Sequence, residues 1–217
     1  MSKRCRVAVL ISGAGSNLQA LIDGQANGSL PIEIVTVISN KPDALGLERA
    51  QKARIACEAL SHQDFDSRES FDHALANTID QHHPDLIVLA GFMRILTPEF
   101  VRHYQGRMLN IHPSLLPKYP GLHTHQRVLD AGDSIHGVTV HFVTEELDGG
   151  PPIIQAIIPV FDDDTEETLM ARIQTQEHSI YPTAVGWFAT QRLQISNGKA
   201  LLDNEELPSC GQQIRQL

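Results

Sequence analysis

Apolar runs alternate with segments of helical periodicity along the first half of the chain. The runs are short and close at polar or glycine residues, which is typical of strands buried on both faces. The predicted strands are 7–11, 32–38, 56–60, 86–90 and 108–111, and the predicted helices are 17–24, 45–53, 66–82 and one starting at Thr97-Pro98. This alternation of strand and helix predicts an α/β fold: a doubly wound, Rossmann-like, mostly parallel sheet covered on both faces.

Two helices carry capping signals of one kind, an acidic residue followed three positions later by glutamate. Asp66 with Glu69 marks the start of the helix that ends near residue 82. Asp164 with Glu167 marks a long helix over 165–188. We expect both pairs to form capping boxes or close variants of one.

The middle of the chain changes character between residues 112 and 125, where prolines and histidines replace the apolar periodicity. This stretch is predicted to be a long loop, and long loops in compact domains are usually functional or disordered. Strands are expected at 138–143 and 153–160. They flank a turn at Asp148-Gly149-Gly150.

The length of the chain, 217 residues with 41% hydrophobic, suits one sizeable core. We expect a single domain over residues 1–188. Residues 189–217 are polar and are expected to form a C-terminal extension, with a small hairpin around Asn197-Gly198 and then a loose tail.

The formal net charge is −9 and no basic stripe is present, which argues against a nucleic-acid partner. Small anionic ligands remain compatible, because a few main-chain amides can hold a phosphate. Cys5, Cys57 and Cys210 are scattered, as expected of reduced thiols. No segment approaches the roughly 20 apolar residues that cross a bilayer. The expected protein has no membrane partner and is cytoplasmic.

The first loop, residues 12–17 (SGAGSN), lies between a predicted strand and a predicted helix. Glycines allow main-chain amides to approach an anion, and the helix N-terminus adds partial positive charge. The spacing fits neither the dinucleotide fingerprint nor a Walker loop, so it favours a mononucleotide or sugar phosphate over NAD or ATP. The alternative is a tight glycine turn with an asparagine cap and no ligand.

A second group of polar residues lies at the C-terminal end of a predicted parallel strand, where ligands bind in open α/β sheets. Asn110 and His112 alternate with Ile111 and therefore share a face. An amide donor beside an imidazole suits acyl transfer, and Asp148 is the candidate carboxylate to orient the ring. A structural histidine at a strand end is the alternative interpretation.

Two other chemistries are weaker. His112, His123 and His125 could bind a metal, but no cysteine or acidic residue lies at ligand spacing, so no metal is expected. Ser114 lacks the Gly-x-Ser-x-Gly context of a serine hydrolase.

Four motifs are informative both in their residues and in their order along the chain. They are residues 12–20 (SGAGSNLQA), 90–96 (AGFMRIL), 110–121 (NIHPSLLPKYPG) and 148–151 (DGGP). Together they resemble the glycinamide ribonucleotide formyltransferase family, with a match over nearly the whole chain to about Phe188. Ala14 is a small departure, since some relatives carry a larger polar residue there.

The resemblance implies transfer of a formyl group from 10-formyltetrahydrofolate to the amine of glycinamide ribonucleotide in purine synthesis. The catalytic residues that it implies are Asn110, His112 and Asp148. The ribonucleotide-binding residues that it implies are Gly15, Ser16, Asn17 and Glu177. The folate-binding residues that it implies are Arg68, Met93, Arg94, Ile95, Leu96 and Asn110. Without the resemblance, Glu177 would be an ordinary solvated helix residue.

The expected mechanism is direct transfer through a tetrahedral oxyanion. Asn110 donates to the oxyanion, His112 relays a proton, and Asp148 favours the charged imidazolium. The expected partners are small molecules, and the expected state is a monomer or weak homodimer.

Three rival functions share part of this pattern. Methionyl-tRNA formyltransferase is similar around the three catalytic residues but needs a basic C-terminal domain to hold tRNA. Formyltetrahydrofolate hydrolase carries an extra N-terminal domain, and the chain has no room for either extension. A catalytically silent nucleotide-binding regulator would keep the first loop but would not need all three catalytic residues.

Overall fold

A computed structural model describes residues 4–215 of the chain. The chain forms two compact units, the first ending at Leu109 and the second beginning at Asn110. The boundary falls inside strand β5 (Met108–His112).

The first unit alternates strands and helices, as the apolar pattern predicts. Its elements are β1 (Cys5–Ile11), α1 (Ser16–Ala26), β2 (Ile32–Ser39), α2 (Leu45–Lys52), β3 (Cys57–Ala59), a 3-10 turn (His62–Asp64), α3 (Arg68–Asp80), β4 (Leu86–Leu89) and α4 (Pro98–His103). The strand order is β3-β2-β1-β4, and each of these pairs is parallel. All of β4, and β1 from Val7 onward, are buried, as expected of strands covered on both faces.

The helix caps of this unit differ partly from prediction. Ser67 caps α3: its Oγ accepts from the Ser70 N–H at 3.0 Å, and the Ser70 Oγ accepts from the Ser67 N–H at 3.2 Å. The predicted box of Asp66 and Glu69 is therefore wrong, because a serine pair one position later satisfies the same donors. The cap of α4 at Thr97 is confirmed, with proline at the first helical position.

The second unit combines the end of β5 with an antiparallel pair and a long helix. Its further elements are α5 (Thr124–Ala131), β6 (Ile135–Phe142), β7 (Pro152–Pro159), α6 (Glu166–Ala189), β8 (Leu193–Ser196), β9 (Lys199–Leu202), β10 (Glu205–Glu206) and β11 (Gln212–Arg215). The strand order is β5-β6-β7-β11, and β8, β9 and β10 form a separate antiparallel sheet. The β6–β7 pair is antiparallel and β11 joins β7 in parallel. With the parallel strands of the first unit, this confirms the α/β class with a mostly parallel sheet.

Helix α6 begins with a threonine box in place of the predicted acidic one. Thr165 Oγ1 accepts from the Thr168 N–H at 3.2 Å, and Thr168 Oγ1 accepts from the Thr165 N–H at 2.9 Å. Asp164 accepts instead from Thr168 Oγ1 and from the guanidinium of Arg172. The prediction that Asp164 and Glu167 form the cap is therefore wrong.

Helix α5 begins inside the stretch 112–125 that was predicted to be loop throughout. Its N-cap, His123, has φ 58 and makes no side-chain capping bond, so the sequence carries no capping signal there. The helix ends at Gly132 with φ 65, a common glycine C-terminus.

The C-terminal residues 189–215 contain more regular structure than a loose tail. β8 and β9 pair across Asn197-Gly198, where a hairpin is expected. β11 then pairs with β7 after a turn at Gly211. Gly211 has φ 71, and a Cβ there would lie 2.6 Å from the Ile153 carbonyl carbon, so the turn requires glycine. No helix within residues 4–215 is both long and apolar enough to span a bilayer.

Candidate functional site

The glycine loop of the first unit joins β1 to α1 through Gly15. Gly15 is the N-cap of α1, with φ 69, and a Cβ there would lie 2.7 Å from the Cα of Gly46. Asn17 lies inside α1, so the alternative of an asparagine-capped turn is wrong. Since glycine offers no capping side chain, the start of α1 suits an anion held by main-chain N–H groups. Around Gly13 there is open space, since a Cβ would meet nothing within 4 Å.

Arg49 of α2 holds this loop by hydrogen bonds, a role that was not predicted from the sequence. Its Nε donates to the Ala14 carbonyl at 2.8 Å, and its Nη1 donates to Gln19 Oε1 at 3.2 Å. A guanidinium fixed against the loop adds positive charge where an anion is expected. The only signal available in the sequence is an arginine in the predicted helix 45–53.

Segment 93–96, assigned to folate by resemblance, lies between β4 and α4 without helix or strand structure. Met93 and Ile95 are 63% and 56% exposed, which is unusual for large apolar side chains. The Arg94 guanidinium lies 5.9 Å from the ring centre of Phe71. Arg68 is the first residue of α3 and is partly exposed, with its Nη2 4.0 Å from Glu69 Oε1.

In the second unit, the structure brings together the three predicted catalytic residues. Asn110 and His112 lie on β5, and Asp148 lies in the turn between β6 and β7 with φ 52. The His112 Nδ1 is 3.5 Å from Asp148 Oδ2, and both side chains are less than a tenth exposed. Asp148 Oδ2 also accepts the Gly121 N–H at 2.8 Å.

The protonation of His112 follows from its neighbours. Its Nε2 is 2.9 Å from the Tyr119 carbonyl oxygen, and a carbonyl can only accept, so Nε2 carries a hydrogen. The Asp148 carboxylate faces the other ring nitrogen, with Oδ2 3.5 Å from Nδ1. Both ring nitrogens therefore face oxygen atoms that accept hydrogen bonds.

His141 orients the amide of Asn110 and was missed from sequence. Its Nδ1 donates to the Phe142 carbonyl at 2.9 Å, so Nε2 is the acceptor for the Asn110 Nδ2–H at 3.1 Å. Burial lowers the pKa of His141 and keeps this acceptor available. Thr139 and His141 are both buried on the same face of β6, and this polar alternation in an apolar strand was the available signal.

The stretch that contributes Tyr119 and Gly121 to this cluster is fastened by side chains. Asp133 accepts from Lys118 Nζ at 3.0 Å and from the Tyr119 hydroxyl at 2.9 Å. Arg127 of α5 donates to the Pro120 carbonyl at 2.6 Å. These bonds fix the two main-chain groups that contact His112 and Asp148.

Two of the three histidines considered for metal binding, His112 and His125, contact other side chains. His125 Nδ1 lies 3.0 Å from Nε2 of His136, and His112 pairs with Asp148. Within residues 4–215, no group of three histidine, cysteine or acidic residues could hold a metal ion. Glu177 lies half-buried on α6. The ligand roles of Gly15, Ser16, Asn17, Glu177, Arg68 and 93–96 stay predictions, as do the catalytic roles of Asn110, His112 and Asp148.

Comparison with known proteins gives one consistent result. A family model described as "Formyl transferase" matches residues 5–185. The phosphoribosylglycinamide formyltransferase of Escherichia coli is 57% identical over 205 residues, covering 94% of this chain and 97% of that protein. Its namesake from Haemophilus influenzae is 48% identical over 206 residues, covering 95% and 97%. The solved phosphoribosylglycinamide formyltransferase of Coxiella burnetii has a TM-score of 0.93 at 52% identity, covering 97% of this chain and 99% of that one.

Proposed function

We propose a function from one premise: the chain belongs to the formyl transferase family, whose model spans residues 5–185. Its full-length relatives are phosphoribosylglycinamide formyltransferases. The chain is accordingly a transferase of purine biosynthesis that moves a formyl group from 10-formyltetrahydrofolate to the amine of glycinamide ribonucleotide. The observation that carries this proposal is 57% identity over 94% of the chain together with the cluster of Asn110, His112 and Asp148.

The mechanism that we propose is direct transfer without a metal. The neutral glycinamide nitrogen attacks the formyl carbon, a C–N bond forms, and the carbonyl oxygen becomes an oxyanion. Asn110 donates its remaining amide hydrogen to that oxygen, and the His112 imidazolium stabilises it. Collapse breaks the bond from carbon to folate N10, and N10 takes the Nε2 proton of His112, which gives up its bond to the Tyr119 carbonyl for this step. The proton lost by the attacking nitrogen returns to His112. Asp148 stabilises the imidazolium by opposite charge before and after this transfer.

The substrate contacts are proposals carried by family membership and by local geometry. Gly15, Ser16 and Asn17 would hold the ribonucleotide phosphate at the start of α1, and Glu177 would contact the glycinamide. Arg68 and segment 93–96 would bind the folate, whose ring suits the exposed apolar side chains of that segment, and Asn110 would contact the formyl group.

We further propose that the formyltransferase domain covers residues 1–188 and that 189–217 is an extension. The acidic chain, with scattered thiols, would act in the cytoplasm on small molecules, as a monomer or weak homodimer.

The test is an activity assay with purified protein, 10-formyltetrahydrofolate and glycinamide ribonucleotide, in the presence of tRNA and water as competing acceptors. We expect the ribonucleotide to be the acceptor, with no formyl-tRNA and little free formate. His112→Ala is the matched control that shows the activity belongs to this site. Formate or formyl-tRNA as the main product would overturn the proposal.

A further inference from the structure

Within residues 4–215, the main chain around segment 93–96 is hydrogen-bonded only at the two ends of the segment. The main-chain groups of Arg94, Ile95 and Leu96 make no hydrogen bond within the described residues 4–215. The segment nevertheless has a defined path, because a side chain from elsewhere in the first unit binds the N–H of Met93 and another binds the N–H of Thr97.

The first attachment is Ser12, which is 5% exposed and directly follows β1. Its Oγ accepts the Met93 N–H at 2.7 Å and donates to Asn40 Oδ1 at 2.5 Å. A hydroxyl has one hydrogen, and here Asn40 receives it, so the lone pairs of Ser12 are directed at Met93. Ser12 also begins the glycine loop, so one side chain connects that loop with segment 93–96.

The second attachment is Asp72 of α3, which is 3% exposed. Its Oδ2 accepts the Thr97 N–H at 2.6 Å, a charge-assisted bond. Thr97 uses its own hydroxyl to cap α4, accepting from the Phe100 N–H at 3.3 Å. Asp72 therefore fixes the point at which segment 93–96 ends and α4 begins.

We propose that Ser12 and Asp72 are positioning residues for the folate. They hold segment 93–96 at both ends, so that its main-chain groups and the exposed side chains of Met93 and Ile95 present one fixed surface to the ring. The inference rests on the proposed function for the identity of the ligand. Neither side chain touches the reacting atoms, so both act through the affinity for folate and leave the chemical step unchanged.

The test compares two matched pairs. Ser12→Ala removes the acceptor for Met93, whereas Ser12→Thr keeps a hydroxyl. Asp72→Ala removes the acceptor for Thr97, whereas Asp72→Asn keeps a side-chain oxygen. Leaving a buried N–H unsatisfied costs about 1–3 kcal/mol, roughly 5- to 150-fold in affinity if the cost falls on the folate-binding conformation.

We expect each alanine variant to raise the KM for 10-formyltetrahydrofolate about tenfold or more. The value of kcat should change less than about twofold, and the conservative variants should recover most of the loss. The KM for the ribonucleotide should rise less than the KM for folate, in Ser12→Ala as well, although Ser12 also begins the glycine loop.

A second readout is independent of turnover: calorimetric titration of tetrahydrofolate, with thermal unfolding of every variant as the control for folding. The alanine variants should bind tetrahydrofolate more weakly by the same factor. Equal increases in both KM values, or a fall in kcat alone, would overturn the positioning role. A different result would overturn the proposed function and leave the positioning role standing. In that case the wild-type protein transfers no formyl group but binds tetrahydrofolate, and the alanine variants bind it more weakly.

Discussion

His112 has one hydrogen-bond acceptor and one ion-pair neighbour, and the two differ in charge. The Tyr119 carbonyl is neutral and belongs to the main chain, whereas Asp148 is a buried carboxylate. Both orient the ring, but only the carboxylate stabilises the imidazolium by charge. Removing that charge should therefore weaken catalysis while the ring stays oriented by Tyr119.

Asp148→Asn should leave the fold and substrate binding nearly intact, since an asparagine oxygen can still accept the Gly121 N–H. We expect kcat to fall by on the order of 10²-fold, roughly 2.7 kcal/mol of transition-state stabilisation. His112→Ala should cost a similar amount, and the double variant little more than the worse single, because the pair acts as a unit. The measurement is kcat for all three variants, with both substrates titrated by calorimetry. Full activity in Asp148→Asn would remove this residue from the mechanism, and additive losses would contradict the coupling.

Residue types predict part of this cluster and not the rest. Asn110 and His112 are predictable because strand alternation places them on one face. Tyr119 and Gly121 are not, because each contributes a main-chain group whose position depends on the path of a proline-rich loop. His141 lies on β6, and its contact with Asn110 requires knowledge of strand pairing that one sequence does not contain.

At the scale of elements, the glycine loop and α2 pack as one body. The Gly46 N–H donates to the Gly13 carbonyl at 3.0 Å, and a Cβ on Gly46 would lie 2.4 Å from Ile11 Cδ1. Gly15 is restricted to glycine by its positive φ and by Gly46, whose Cα would lie 2.7 Å from a Cβ on Gly15. Substituting Gly15 therefore damages the fold as well as the proposed phosphate site, and Gly13 is the better position at which to separate the two.

Gly13→Val should raise the KM for the ribonucleotide while the midpoint of thermal unfolding stays within a few degrees of wild type, because the new side chain enters open space. Gly15→Val should raise the same KM and also lower the unfolding midpoint, since its Cβ meets Gly46 and its φ is strained. The KM for folate should change much less in Gly13→Val. Equal rises in both KM values for this variant would show that the loop supports the fold and does not bind the phosphate.

The elements themselves follow from the sequence to a degree set by their local signals. α4 is predictable because Thr97 and Pro98 are a local cap. α5 is not, because it starts at a left-handed His123 without a capping side chain. The caps of α3 and α6 were misplaced by one residue, since serine and threonine can complete a capping box where glutamate is the expected partner.

At the scale of the whole molecule, the α/β class is predictable because the alternation of strand and helix runs through most of the chain. The edge strand β11 is not, because its residues are all exposed and mostly polar, and its pairing with β7 uses main-chain groups. The burial of polar side chains is likewise not predictable from the sequence. The fold buries His136 and His141 and thereby makes stability depend on pH, although nothing in the sequence distinguishes them from exposed histidines.

His136 gives this pH dependence a specific test. Burial, with repulsion from His125, lowers the pKa of His136 to about 4, against about 6.5 in the unfolded chain. Between these values the unfolded chain binds more protons, so the free energy of unfolding should fall as pH drops through this window, by up to about 1.4 kcal/mol per pH unit for this one group. His136→Gln removes the titrating group, so its stability should change less between pH 7 and pH 5 than that of wild type. Urea unfolding of both proteins at pH 7, 6 and 5 measures the difference, in which carboxylates common to both cancel. Parallel profiles for the two proteins would show that His136 does not stay neutral in the folded state.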